Sequence, residues 1–386
     1  MRGVLHQLPS PSPGTEYAWP SLHFGDGGQG RKAVIQCALH ADEIPGLLVG
    51  VHLRTHLARL EADGALIGEV VLVPGANVLG GAQSLLGSQI GRFDLGSGIN
   101  FNRGYRYLTP DLLKMLPERL GSDAQANAAL IRQACRASLE AWPAVSSAEV
   151  LKRDLQRLAI DADTVLDLHC DSQALMHLYA PTPWASTGLD LGRCLGARVV
   201  LLARESGDDP FDESVSRHWW ELQESLGSKF PIPLGCFAST VELRGEADVT
   251  HEWAEQDALG ILAFLAQRGH LEPQALDSDP RRRGIAAASP ESDVRTCDAL
   301  PLEGVDPLTA PCGGIVVYAC VLGQEVREGQ TVAELIDPLS GTSTPVASRV
   351  DGVFFARSKT RWALRGERIG KVAGAKAFRT GKLLSL

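Results

Sequence analysis

The chain has 386 residues, 44% of them hydrophobic and 22% charged, a balance that supports a sizeable packed core and excludes disorder as its main description. With 37 basic against 46 acidic residues the formal net charge is −9, which excludes the electrostatic footprint of a nucleic-acid or anionic-membrane binder. No run reaches the ~18 apolar residues of a membrane span, and the eight cysteines include no Cys-x-x-Cys pair that would suggest a zinc knuckle.

The N-terminal segment MRGVLHQLPSPSPG is broken by prolines before an apolar signal core can form. No secretory leader is expected, and with reduced thiols this points to the cytoplasm. From about residue 31 to 270 short apolar runs alternate with longer amphipathic ones. Residues 33–39 read as a buried strand, 46–60 as a helix, and 69–74 as a strand stopped by Pro74. Residues 111–140 read as helical with a break near Gly121, and 147–158 as a helix with Glu149 and Arg153 spaced i, i+4. Strands follow at 164–169, 174–180, 197–203 and 236–243, and helices at 213–226 and 252–268. This alternation predicts an α/β fold with a mostly parallel sheet and helices on both faces.

The character changes near 270. Residues 272–298, rich in Pro, Asp, Ser and Arg and containing Arg281-Arg282-Arg283, read as a connection whose arginines face water. Beyond 299 the pattern is all-β, and it repeats weakly: Gly314 and Gly352 open matching segments, as do Gly329 and Gly366. Two such halves resemble the barrel-sandwich hybrid of biotinyl and lipoyl carriers. The hairpin between them, Asp337-Pro338-Leu339-Ser340-Gly341-Thr342-Ser343, holds no lysine to modify. We therefore expect two domains, a catalytic one over 1–290 and a non-carrier β-domain over 291–386. The β-domain could fence the site or join copies into a homo-oligomer.

The sharpest chemical signal is His40-Ala41-Asp42-Glu43, directly after the strand at 33–39. A strand end in a parallel sheet delivers side chains to the carboxyl edge, where open α/β folds place their sites. His40 and Glu43 can reach one metal ion, and zinc accepts both imidazole nitrogen and carboxylate oxygen. A catalytic zinc site needs a third ligand and leaves a fourth position to water. His169, ending the strand at 164–169, is the candidate, with Asp167 on the same strand face as an orienting group or a locally satisfied acid. In Asn100-Phe101-Asn102-Arg103 an amide stands beside a guanidinium fork that matches a carboxylate. Glu242, at the end of the strand at 236–243, becomes a candidate general base beside activated water. His52 and His56, i, i+4 on a predicted helix, could form a metal pair but are expected on its solvent face. His177 reads as a satisfied interior histidine and Trp219-Trp220 as packing.

His40-Ala41-Asp42-Glu43-Ile44-Pro45-Gly46, Pro74-Gly75-Ala76-Asn77, Asn100-Phe101-Asn102-Arg103, Asp167-Leu168-His169 and Val241-Glu242-Leu243 occur in that order. The set resembles the succinylglutamate desuccinylase/aspartoacylase family, within the zinc carboxypeptidase-like superfamily, over roughly residues 30–270. The resemblance implies a mixed, mostly parallel sheet flanked by helices and one zinc ion held by His40, Glu43 and His169. It implies Glu242 as general base and acid, and Asn102 and Arg103 on the substrate carboxylate. Arg92 is the candidate for polarising the scissile carbonyl, while Tyr179 and Arg244 are left as packing or supporting residues. The implied reaction is deacylation of an N-acyl amino acid by activated water. A metallocarboxypeptidase or esterase on the same site, and a catalytically silent binding module, are the competing readings.

Overall fold

The computed structural model describes residues 1–27, 31–272, 274–276 and 297–384. Most of the predicted connection at 272–298, including the arginine triplet, lies outside the described residues. Among the described residues no helix is long and apolar enough to cross a membrane.

The chain divides into two compact units, one comprising Met1–His169, Gly207–Val241 and Val249–Val294, the other Cys170–Ser206, Glu242–Asp248 and Arg295–Leu386. This grouping is not linear in sequence. Segments 170–206 and 242–248 belong with the C-terminal strands, which a single boundary at 290 does not capture.

In the first unit, β1 (Arg2–Gln7) and β2 (Ala18–Gly25) precede β3 (Lys32–Cys37), helix α1 (Pro45–Ala62) and β4 (Glu69–Val73). Then come α2 (Val78–Gly81), the small hairpin β5 (Ser84–Leu85) and β6 (Ser88–Gln89), α3 (Thr109–Met115), α4 (Ala124–Glu140), α5 (Ser147–Ala159) and β7 (Thr164–Asp171). After the second unit's first segment follow α7 (Phe211–Leu226), β11 (Phe237–Gly245) and α8 (His251–Gln267). The strands lie in the order β1-β2-β4-β3-β7-β11. β3 runs parallel to both β4 and β7 and is almost wholly buried, as expected of a strand covered on both faces. β1 and β2 add an antiparallel edge. Thus the mixed, mostly parallel sheet is present, with helices packed on it.

Local chemistry sets the helix ends. Asp123 caps α4 by accepting from Ala126 N at 2.7 Å, and Ser146 and Glu149 form a capping box on α5. That box takes the Glu149 carboxylate, so Arg153 turns to Asp154 at 3.1 Å instead of pairing along the helix. Trp19, Phe211 and Trp219 are fully buried in the core of this unit.

The second unit holds β8 (Gln173–Ala174), β9 (His177–Pro181), α6 (Ala185–Leu195), β10 (Val199–Ala203) and β12 (Asp298–Pro301), with β9, β10 and β12 parallel. Its remaining strands are β13 (Val305–Thr309), β14 (Gly314–Tyr318), β15 (Glu325–Val326), β16 (Thr331–Ile336), β17 (Ser343–Ala347), β18 (Gly352–Arg357), β19 (Trp362–Ala363) and β20 (Arg368–Gly374). They make two small sheets, β13-β20-β18-β15 joined by β8, and β17-β16-β14-β19. Strand, two-residue strand, long strand recurs as β14-β15-β16 and β18-β19-β20, which is the structural form of the glycine repeat.

Candidate metal centre

The centre is built where β3 gives way to α1. Ala38 takes a left-handed turn (φ 56°) that breaks the strand, and Pro45 in the first turn of α1 starts the helix without wasting a backbone donor. Between them His40 and Glu43 are 4% exposed. Asn77, buried after β4, donates from Nδ2 to Leu39 O at 2.9 Å and accepts from Gly80 N at 2.8 Å, so one amide fastens the loop and caps α2. Gly91 presses on the same loop: its carbonyl accepts from Ala41 N at 3.1 Å, and a Cβ there would sit 2.4 Å from Asp42 N. The parallel register of β3 and β7 sets Gln36 opposite Asp167, bringing His169 to the sheet end that carries His40.

The three ligand atoms offered by His40, Glu43 and His169 lie within 4.8 Å of one another, and the group could hold a metal ion. Both imidazoles turn Nδ1 towards the same carboxylate: His40 Nδ1 is 2.8 Å from Glu43 Oε1, and His169 Nδ1 is 2.8 Å from Glu43 Oε2. Both outer nitrogens meet acceptors. His40 Nε2 donates to Asn100 Oδ1 at 2.8 Å and His169 Nε2 to Asp167 Oδ2 at 2.8 Å. A proton fixed on the outer nitrogen leaves the inner one as the ligating lone pair, the arrangement metal-binding histidines use. Asp167, fully buried, is itself held by Gln36 Nε2 at 3.0 Å. The donor set and its supporting shell therefore fit a zinc-like divalent cation.

The charges are coupled. Burial pushes the Glu43 carboxyl up, but the two imidazoles outweigh it and hold it well below the usual carboxylate range. Burial pulls His40 below its ordinary value. For His169 burial acts the same way, yet Asp167 and Glu43 overcome it and hold that imidazole well above its ordinary value. Asp167→Asn keeps the shape and removes the acceptor charge behind His169. It is expected to weaken metal binding about 10- to 100-fold, measured by competition with a chelator of known affinity; unchanged affinity would show that Asp167 only fills space.

Arg92 reaches the centre, its Nη2 donating to Glu43 Oε1 at 2.6 Å while the side chain stays 44% exposed. Asn102 is nearby; its Oδ1 accepts from Phe211 N at 2.9 Å, while Nδ2 lies 3.4 Å from His169 Nε2. Arg103 donates to Asn102 O at 2.6 Å, and burial lowers its pKa.

Three contributors escape a sequence reading. Asn100, a member of the motif with no role assigned to it, orients His40 and also accepts from Asn102 N at 2.8 Å. Lys152, buried on α5, props the loop by donating to Asn100 O at 3.1 Å and Arg103 O at 2.8 Å, and burial lowers its pKa to about 8. Asp212, in the first turn of α7, has its pKa raised by burial and by the charge of Asp167. Only the i, i+4 apolar pattern of α5 hints that Lys152 faces inward.

Glu242 follows Val241, the residue at which the first unit's share of β11 ends. Within the second unit Lys371 of β20 ion-pairs with Asp171. Burial opposes the charge on Lys371, but Asp171, Tyr179 and Glu242 hold the ammonium well above its ordinary value. Tyr179 is pushed up to about 12, chiefly by burial.

The sequence matches the succinylglutamate desuccinylase/aspartoacylase catalytic domain family over residues 29–268. Among solved structures, one of a protein from Shewanella amazonensis described as of the succinylglutamate desuccinylase/aspartoacylase family shares 24% identity. It covers 97% of this chain and 98% of its own, with a TM-score of 0.79. A succinylglutamate desuccinylase/aspartoacylase from Rhodobacter sphaeroides shares 17% identity over 97% of this chain and 96% of its own, with a TM-score of 0.65. The product-bound ectoine utilization protein EutE (DoeB) of Ruegeria pomeroyi shares 15% over 97% and 94%, with a TM-score of 0.63. These likenesses establish the fold. No curated protein matches significantly.

Proposed function

Because the chain belongs to the succinylglutamate desuccinylase/aspartoacylase family, a hydrolytic one, we propose that it is a cytoplasmic zinc-dependent deacylase that cleaves the amide of an N-acyl amino acid or a related small carboxylate. The observation that carries this reading is the buried His40-Glu43-His169 group with both outer imidazole nitrogens held by acceptors. Zinc bound there would make water nucleophilic near neutral pH.

The chain's own residues supply the rest. Glu242 takes the proton of the attacking water and returns it to the departing amine. Arg92 donates to the carbonyl oxygen as negative charge develops there. Arg103 and Asn102 set the substrate by its carboxylate, Arg103 through its fork of donors and Asn102 by holding the loop end in place.

The test is a panel of N-acyl amino acids, dipeptides and simple esters, assayed with zinc-replete protein and after chelation. Release of free amino acid from the N-acyl compounds, lost on chelation and restored by zinc, is the expected result. Preference for dipeptides or esters would move the assignment to a metallocarboxypeptidase or an esterase. Zinc-loaded protein that hydrolyses none of them would overturn the proposal.

A further inference from the structure

His52 and His56 are not on a solvent face. They look from α1 onto α8, against which α1 packs in the same unit. Residues four apart on a helix share one side, so two such pairs, His52/His56 on α1 and His251/Glu255 on α8, confront each other. Glu255 Oε2 lies 2.6 Å from His52 Nδ1 and 3.1 Å from His56 Nε2. The side chains of His52, His56 and Glu255 are only 18%, 9% and 21% exposed. A polar face serving solubility would leave these groups in water.

The pattern repeats the logic of the centre above: one carboxylate clasped by two imidazoles. The fourth residue completes it. His52 Nε2 lies 3.0 Å from His251 Nδ1, with the two rings tilted at 5.3 Å between centroids. If His52 donates outward from Nε2 to His251, its Nδ1 presents a lone pair towards Glu255 and His56, which is how a second residue fixes the tautomer of a metal-bound histidine. Two imidazoles and a carboxylate suit zinc and its first-row neighbours rather than calcium or magnesium, which take all-oxygen sets.

We propose that His52, His56 and Glu255, with His251 holding His52, form a second divalent transition-metal site that ties α1 to α8. His52 stands two helical turns into α1, whereas Glu43 precedes that helix. The two sites therefore share no ligand.

The experiment counts metal. Protein stripped with a chelator is dialysed against buffered zinc and analysed for zinc per chain. About two equivalents are expected for the wild-type chain, and about one for His52→Ala/His56→Ala with its circular dichroism unchanged. His40→Ala is expected to keep about one, at the second site, so that failure of the catalytic reading and failure of this one give different counts. If the double variant does not fold, Glu255→Gln must show the same loss. No loss of zinc on altering His52, His56 or Glu255, whatever the wild-type count, would overturn the proposal.

Discussion

Glu242→Gln is expected to bind zinc as the wild-type chain does and to lose at least ~10² in kcat, the lower end for removing a positioned general base. The swap keeps size and hydrogen-bonding capacity but removes the ability to accept a proton. Glu242 also contributes to the field that keeps Lys371 protonated, so a purely structural role is the alternative to defeat. A structural glutamate would, on substitution, lower the melting temperature and leave kcat nearly intact. A catalytic one would lower kcat and remove the acid limb of the pH–rate profile while stability changed little. Retained kcat in a folded, zinc-loaded Glu242→Gln protein would end the assignment.

The second large effect is on stability in acid. His177, His218 and His270 are almost completely buried, and burial is the main cause that holds them down to about 4, 3 and 4. Their partners are sparse. His177 Nδ1 lies 2.9 Å from Leu175 O and His270 Nε2 2.9 Å from Thr164 Oγ1, and among the described residues neither ring nitrogen of His218 has a hydrogen-bond partner. In the unfolded chain all three titrate near 6.5. Between that value and their depressed ones the unfolded chain binds more protons, so stability present above pH 6.5 is lost as pH falls. At about 1.36 kcal/mol per unit, each histidine removes on the order of 3 kcal/mol by pH 4. The sum is comparable to the whole stability of an ordinary protein. Urea midpoints measured from pH 7.5 to 4 should fall steeply below 6.5, and His218→Leu should flatten the slope; a midpoint indifferent to pH over that range would contradict the burial argument.

What could be read in advance divides along a physical line. His40, Glu43 and His169 were legible because each sits at or just beyond the end of an apolar strand, a local signal. Asn100 and Lys152 were not, because their roles come from partners 60 and 52 residues away. The spacing of His52 and His56 gave the side they share but not what stands opposite, since Glu255 is about 200 residues on. Strands β1 and β2 escaped because polar side chains interrupt their apolar pattern; Ser21, fully buried, is held between His6 and His23. Helix α6 was hidden by Gly188 and Gly192, which weaken helix propensity. The structure shows why they are there: a Cβ at Gly188 would stand 2.9 Å from Ala180 Cβ, and one at Gly192 2.7 Å from Cys297 Sγ. A side chain at either position would force its neighbours to shift.

The assembly of Asp171, Tyr179, Glu242 and Lys371 from three distant stretches of chain bears on how this protein can be re-engineered. A gene shortened before β20 would not encode a leaner catalyst. It would strip the countercharge from Asp171 and alter the surroundings of Glu242, so the C-terminal strands cannot be traded like a detachable cassette.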